Sequence, residues 1–107
     1  MESANQNYRV TAANALAAEL TVAASTIAAL KLHHRKILIA RAAAAIDAQR
    51  ELLDLGNEPI SLPTGIVSNL DMLKRESATL PDVLAAQILR QVADEIRRLA
   101  GLISRAI

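Results

Sequence analysis

The sequence predicts an all-α fold. Alanine and leucine supply 22 and 16 of the 107 residues, and both favour helices. The chain has only three glycines and three prolines, and four of these six residues lie between Gly56 and Gly65, so long stretches on either side are uninterrupted. Because β-branched and aromatic residues nowhere alternate with polar ones over a useful length, strands are not expected.

The length and composition predict one helical domain over residues 1–107, with a flexible N-terminus at 1–9. Cysteine, phenylalanine and tryptophan are absent, which excludes disulfides, cysteine metal sites and aromatic platforms for stacking bases. Twelve Lys and Arg face eleven Asp and Glu, giving a net charge of +1. A chain balanced in this way is not expected to bind polyanions in bulk.

The first helix is expected over about residues 10–55, because one apolar stripe runs through the whole segment at helical spacing. The stripe comprises Leu16, Leu20, Ala23, Ile27, Leu30, His34, Leu38, Arg41, Ala45, Ala48, Leu52 and Leu55. A straight helix of this length is ~65 Å long, so it either bends near residues 31–36 or remains straight and is covered by a second copy. The unbroken stripe favours a straight helix in a homodimer.

A loop is expected at 56–65, followed by a short middle helix at 66–77. Gly56 suits the C-terminal cap of the first helix, and Pro59 and Pro63 prevent that helix from continuing. In the middle helix, Leu70 and Leu73 lie on an apolar side that can pack across the other two helices.

The last helix is expected over residues 80–106. Thr79 is a suitable N-cap and Pro81 fits the first turn. Its apolar residues cover about half of the helical wheel, more than one neighbouring helix can bury. The sequence therefore predicts a helical hairpin or bundle with coiled-coil character, in which a second copy or a foreign partner covers the remaining apolar surface.

Charge is distributed unevenly along the chain. Residues 31–41 carry four cations, two histidines and no acidic residue. Such a block can contact an acidic protein surface or phosphates, or it can simply be solvated. On a helical wheel its cations point in all directions, which argues against a single nucleic-acid-binding face.

His34 and Arg41 are the polar members of the predicted stripe and therefore need polar partners. Glu95, within the apolar arc of the last helix, is the expected one, with Glu19 and Asp47 as further candidates. We expect His34, Arg41 and Glu95 to form an internal polar cluster that sets the packing register. The alternative is that His34 and Arg41 belong to a partner-binding surface.

No catalytic, cofactor or metal site is predicted. No serine or threonine lies in a nucleophile motif, and the glycines do not form a phosphate-binding loop. His33 and His34 point about 100° apart on a helix and cannot bind one metal ion together.

The segment Thr26 to Arg35, Thr-Ile-Ala-Ala-Leu-Lys-Leu-His-His-Arg, resembles part of the long first helix of the TraM-type quorum-sensing antiactivators. Those are small helical proteins that dimerise and sequester a transcription factor. The resemblance implies a similar mode of action, but it spans ten residues and assigns no residue roles. Upstream of it, this chain is alanine-rich and lacks a Gly-Leu-Pro-type entry.

Together these features predict a non-enzymatic homodimer that binds and inhibits another protein, such as a host regulator or motor ATPase, as small phage- or plasmid-encoded inhibitors do. The expected partner-binding residues are exposed cations: Arg35, Lys36, Arg90, Arg97 and Arg98. Alternatives are a nucleic-acid-binding accessory protein, which is less favoured, and a structural assembly subunit. The N-terminus lacks a secretory basic region and the most apolar stretch, 12–30, contains polar residues, so a cytoplasmic protein that does not contact membranes is expected.

Overall fold

The all-α prediction is confirmed. The computed structural model describes the backbone of residues 2–55, 64–76 and 78–106. It contains α1 (Glu2–Ser25), a 3-10 turn (Ile27–Ala29), α2 (Leu32–Leu55), α3 (Thr64–Glu76) and α4 (Asp82–Ala106). The last helix therefore begins two residues later than predicted, and the middle helix two residues earlier.

The predicted straight first helix is wrong, because the chain breaks between α1 and α2. Thr26 donates its N–H to the carbonyl of Val22 as the last bond of α1, and Leu30 then adopts an extended conformation with φ −82° and ψ 123°. The longest extent of the molecule is 42 Å, shorter than the ~65 Å of a continuous helix. A break was the alternative that the sequence left open, and it lies at residues 26–31, slightly before the expected position.

Hydroxyl side chains explain where α1 ends. The hydroxyls of Thr21, Ser25 and Thr26 each donate to the carbonyl four residues earlier, at 2.9, 3.2 and 3.0 Å. Such bonds compete with the backbone ladder and bend or weaken a helix. Since neither glycine nor proline occurs here, the usual sequence signals of a helix end are missing.

The helices are arranged around α4. Arg35 bonds to Asp82 and Gln49 to the backbone of Ile96, so α2 runs parallel to α4. Arg97 bonds to Thr21, and further along the pair Ile27 lies beside Ala85, so α1 runs antiparallel to α4. The short helix α3 packs against both α2 and α4. Consequently the α1–α2 and α3–α4 connections lie at the same end of the bundle, which we call the turn end.

The apolar half of α4 is buried by the other three helices. Its buried residues are Ala85, Ala86, Ile88, Leu89, Val92, Ala93, Ile96, Leu99, Ala100 and Ile103. The argument that this surface requires a second copy or a foreign partner is therefore wrong, because α1, α2 and α3 all contact α4. Alanines on both α1 and α4 allow these two helices to pack closely.

In α2 the predicted stripe is one position out of phase with the core. The buried residues are Ile39, Ala42, Ala43, Ile46, Gln49 and Leu53, whereas Leu38, Ala45 and Leu52 of the predicted stripe are only half-buried. The non-helical residues between α1 and α2 reset the helical phase, and a wheel drawn through the break therefore assigns α2 the wrong face.

The predictions for the loop and for the N-terminus fall largely on residues that the structure does not describe. Most of the predicted loop, residues 56–63, lies outside them, as do the side chains of residues 1–10. The backbone of α1 begins at Glu2, well before the predicted helix start near residue 10. No helix of the described chain is both long and apolar enough to cross a membrane.

Candidate functional site

Arg35 is a structural residue at the turn end. Its guanidinium donates to the carbonyls of Ile27 and Leu30, at 2.6 and 3.1 Å, and to Asp82 at 3.1 Å. The Ile27 carbonyl also accepts the backbone N–H of Leu30, so Arg35 gives it a second donor, and Arg35 supplies the Leu30 carbonyl with a donor at the point where the helix is broken. Its side chain is only 15% exposed, so the prediction that Arg35 is a free partner-binding cation does not agree with the structure.

The predicted internal cluster of His34, Arg41 and Glu95 does not assemble. His34 is exposed, and its ring lies next to that of His33 with centroids 4.1 Å apart. Arg41 is exposed and pairs with Glu19 at 2.6 Å. The shifted phase of α2 places both His34 and Arg41 away from α4, which is why neither reaches Glu95.

Glu95 is buried, as its place in the apolar arc predicted, but its partner is Arg98 on the next turn of the same helix. Two further hydrogen bonds run from Nε of Arg98 to the carboxylate oxygens, at 3.0 and 3.2 Å. The pKa of Arg98 is raised above its usual value, chiefly by its side-chain hydrogen bond to Glu95. Arg98 therefore neutralises a buried carboxylate of its own helix.

The other predicted partner-binding cations differ in their surroundings. Arg97 pairs with Asp94 at 3.2 Å and donates to the Thr21 hydroxyl, which links α4 to α1. Of the five predicted cations, Arg90 and Lys36 are exposed and have no ion pair among the described residues.

The turn end exposes large apolar side chains that the sequence analysis did not select. Leu32 in the first turn of α2 is 41% exposed. Val83 and Leu84 in the first turn of α4 are 82% and 39% exposed. The Arg35–Asp82 ion pair holds these two first turns together, which brings the three apolar side chains to one end of the molecule.

Three cations lie at the same end of the molecule as these apolar residues. Lys31 precedes α2, and Lys74 and Arg75 occupy the last turn of α3. All three are exposed and have no ion pair among the residues that the structure describes. We call Lys31, Leu32, Lys74, Arg75, Val83 and Leu84 together the turn-end patch. In the sequence, the patch is marked only by apolar residues in the first turns of α2 and α4. These residues indicate a common surface only once the two helix starts are known to lie together.

A shallow groove of about 440 Å³ runs between α1 and α2. It is lined by small and apolar residues, including Ala15, Ala18, Val22 and Leu38, with Glu19 at its edge. The groove exists because α1 and α2 both pack on α4 while touching each other only lightly. It lacks convergent polar groups that would orient a small molecule.

Within the described chain no three His, Asp or Glu side chains lie close enough together to hold a metal ion.

Comparison of the chain with protein-family models, curated proteins and solved structures found no match.

Proposed function

We propose that this chain acts by binding a second protein at the turn-end patch and thereby sequestering or inhibiting it. The observation that carries this proposal is the combination at one end of the molecule of three exposed apolar side chains with three cations. Large exposed apolar residues surrounded by polar ones are typical of protein interaction sites. The segment 26–35, which resembles the TraM-type antiactivators, contributes to this end of the bundle.

The chemistry of the patch fits an acidic, amphipathic segment of the partner. Burying Leu32, Val83 and Leu84 supplies the apolar contribution to affinity, at about 25 cal/mol per Å² of surface removed from water. Lys31, Lys74 and Arg75 then attract carboxylates of the partner and accelerate association. We propose that the partner is a regulator or a motor ATPase in the cytoplasm. We further propose that the chain itself is encoded by a phage or a plasmid.

Nucleic acid is a weaker candidate on the same geometry. Four arginines lie along α4, but Arg97 and Arg98 are already paired with Asp94 and Glu95. Only Arg90 and Arg105 have no ion pair within the described residues, which is few for a phosphate-binding surface.

Affinity capture from the native host tests the proposal when wild type and matched variants are compared by quantitative mass spectrometry. The patch variants are Lys31→Glu with Lys74→Glu, which reverses charge, and Val83→Asp, which removes the most exposed apolar side chain. Arg105→Glu, at the far end of α4, is the control. Circular dichroism and urea unfolding establish that each variant is folded.

We expect wild type and the Arg105 variant to retain one protein in stoichiometric amounts and both patch variants to lose it. Adding the purified wild-type chain to the captured protein should then lower that protein's activity. Retention of the partner by both patch variants contradicts the proposed site. Recovery of nucleic acid instead of a stoichiometric protein, retained in moderate salt, contradicts the proposed function.

A further inference from the structure

The outer face of α2 has the residue spacing of a coiled-coil interface. His33, Ile37, Ala40, Ala44, Asp47 and Glu51 follow one another at alternating intervals of four and three residues. All six are exposed, and Ile37 is 54% exposed. Intervals of four and three keep side chains on the side of a helix that faces a packed second helix.

No other helix of this chain covers that face in the part of the molecule that the structure describes. The core residues of α2, such as Ile39, Ile46 and Leu53, lie on the opposite side of the helix. The centre of the outer face is formed by Ile37, Ala40 and Ala44, with the exposed Ala48 beside them. Small residues at the centre allow a second helix to approach to about 8 Å between axes.

The charged side chains on and beside this face are separated by sign along α2. His33 and Lys36 lie in the first half of α2, and Asp47 and Glu51 lie in the second half. None of these four forms an ion pair within the described chain. A helix with opposite charges at its two ends is complementary to a reversed copy of itself, whereas a parallel copy would bring like charges together.

We propose that the outer face of α2 binds the same face of a second copy of this chain, with the two helices antiparallel and the two-fold axis beside residue 42. In this register Ala40 lies opposite Ala44 of the second copy and Ile37 lies opposite its Asp47. His33 lies opposite Glu51 of the second copy at both ends of the interface.

Lys36 provides the strongest argument for the second copy as the occupant. A two-fold axis between antiparallel helices keeps a residue on the same side of the interface in both copies. Lys36 and Asp47 lie on the same side of the outer face of α2, so each lysine falls beside the aspartate of the other copy. The two-fold axis forms the Lys36–Asp47 pair twice. A foreign helix would need a carboxylate and a cation at these same two positions to make equivalent pairs.

Sedimentation equilibrium measures the association and its dependence on charge. Lys36→Glu and Asp47→Lys each convert both Lys36–Asp47 pairs into like-charge contacts. The matched controls are Arg105→Glu and Asp71→Lys, which make the same reversals of charge at exposed positions of α4 and α3. The double variant Lys36→Glu with Asp47→Lys exchanges the two charges and restores the pairs.

We expect wild type and both controls to form a dimer of twice 11.4 kDa at concentrations below about 1 mM. Each single variant should weaken the dimer by at least about tenfold, because exposed pairs contribute modestly and two are reversed. The double variant should recover wild-type association. An equimolar mixture of the two single variants should form a heterodimer, because the carboxylate introduced at position 36 of one variant then meets the ammonium introduced at position 47 of the other.

Three results would overturn the proposal. The first is a wild type that remains an 11.4 kDa species throughout this concentration range. The second is a dimer that the single charge variants leave unchanged, which would place the interface elsewhere on the molecule. The third is a double variant that dimerises no better than the single ones, which would exclude the antiparallel register.

Discussion

Arg35 joins the α1–α2 connection to α4 through one planar side chain. It donates to two carbonyls of the α1–α2 connection and to Asp82 of α4 while remaining 15% exposed. We expect Arg35→Ala to lower the free energy of unfolding by about 2 kcal/mol, because two part-buried carbonyls lose their side-chain donor. Arg35→Lys should recover only part of this loss, since one ammonium group cannot reach all three acceptors.

Urea unfolding at constant protein concentration measures this effect, and Lys74→Ala is the control because Lys74 is exposed and has no ion pair within the described chain. The control should change stability by less than about 0.5 kcal/mol. An Arg35→Ala variant as stable as the control would show that the turn end does not depend on this residue.

Gln49 is a polar residue in the α2–α4 interface, with only 5% of its surface exposed. Its Nε2 donates to the carbonyl of Ile96 at 3.0 Å, but its Oε1 has no partner among the described residues. An unsatisfied buried acceptor is costly, so Gln49→Met, similar in shape, should raise the free energy of unfolding by about 1 kcal/mol.

Gln49→Ala is the comparison, because it removes the same acceptor but leaves a cavity. We expect it to lower stability by about 1–2 kcal/mol in the same urea experiment. A destabilised methionine variant would indicate instead that the amide contributes more through the Ile96 bond than it loses through Oε1.

At the scale of the helices, the sequence predicts α4 well and the first segment poorly, for a physical reason. The start of α4 is marked by proline and an acidic first turn, and its broad apolar side is buried, although by helices of the same chain. The break before α2 depends on hydroxyl bonds and on Arg35, which reaches Asp82 from 47 residues away in sequence. A contact so distant in sequence is not visible in helical periodicity.

The same distinction applies to the candidate site. The basic character of residues 31–36 could be predicted from the sequence. The sequence could not show that Arg35 has a structural role whereas Lys31 and Lys36 are exposed. Similarly, the sequence gives Val83 no special place in α4, and only the Arg35–Asp82 ion pair shows that the start of α4 lies at the same end of the molecule as the start of α2. Which cations are available therefore depends on tertiary contacts.

Gly101 is an unfavourable residue within α4 that no close contact requires. It is exposed, and a Cβ atom added to it would meet nothing within 4 Å. Alanine is favoured over glycine in a helix by up to about 1 kcal/mol, so Gly101→Ala should raise the melting temperature by about 4–8 °C.

Thermal unfolding followed by circular dichroism checks this expectation, and Ser104→Ala, also exposed in α4, serves as a control with a smaller gain. A Gly101→Ala variant that melts at or below the wild-type temperature would mean that the last turns of α4 need the flexibility of glycine.

At the scale of the whole molecule, α4 is the helix on which the others assemble. It contacts α1, α2 and α3, whereas α1 and α2 touch each other only lightly. Of the described α-helices, α3 is the shortest, and among its described side chains Leu70 and Leu73 are buried in the core. Loss of α4 packing therefore means loss of the whole core, whereas α3 can detach at a smaller cost.

This arrangement predicts an order of opening that hydrogen exchange with mass spectrometry can measure. Amides within residues 88–100 should exchange slowest, with an opening free energy equal to the global value from urea unfolding, because they become accessible only when the core is lost. Amides within residues 68–76 should exchange at a lower opening free energy, through local release of α3. Leu73→Ala enhances this contrast: it should speed exchange in α3 more than in α4, since the removed side chain anchors α3. If wild-type α3 and α4 exchange at one common rate, the domain opens as a single unit and α3 is not the weaker element.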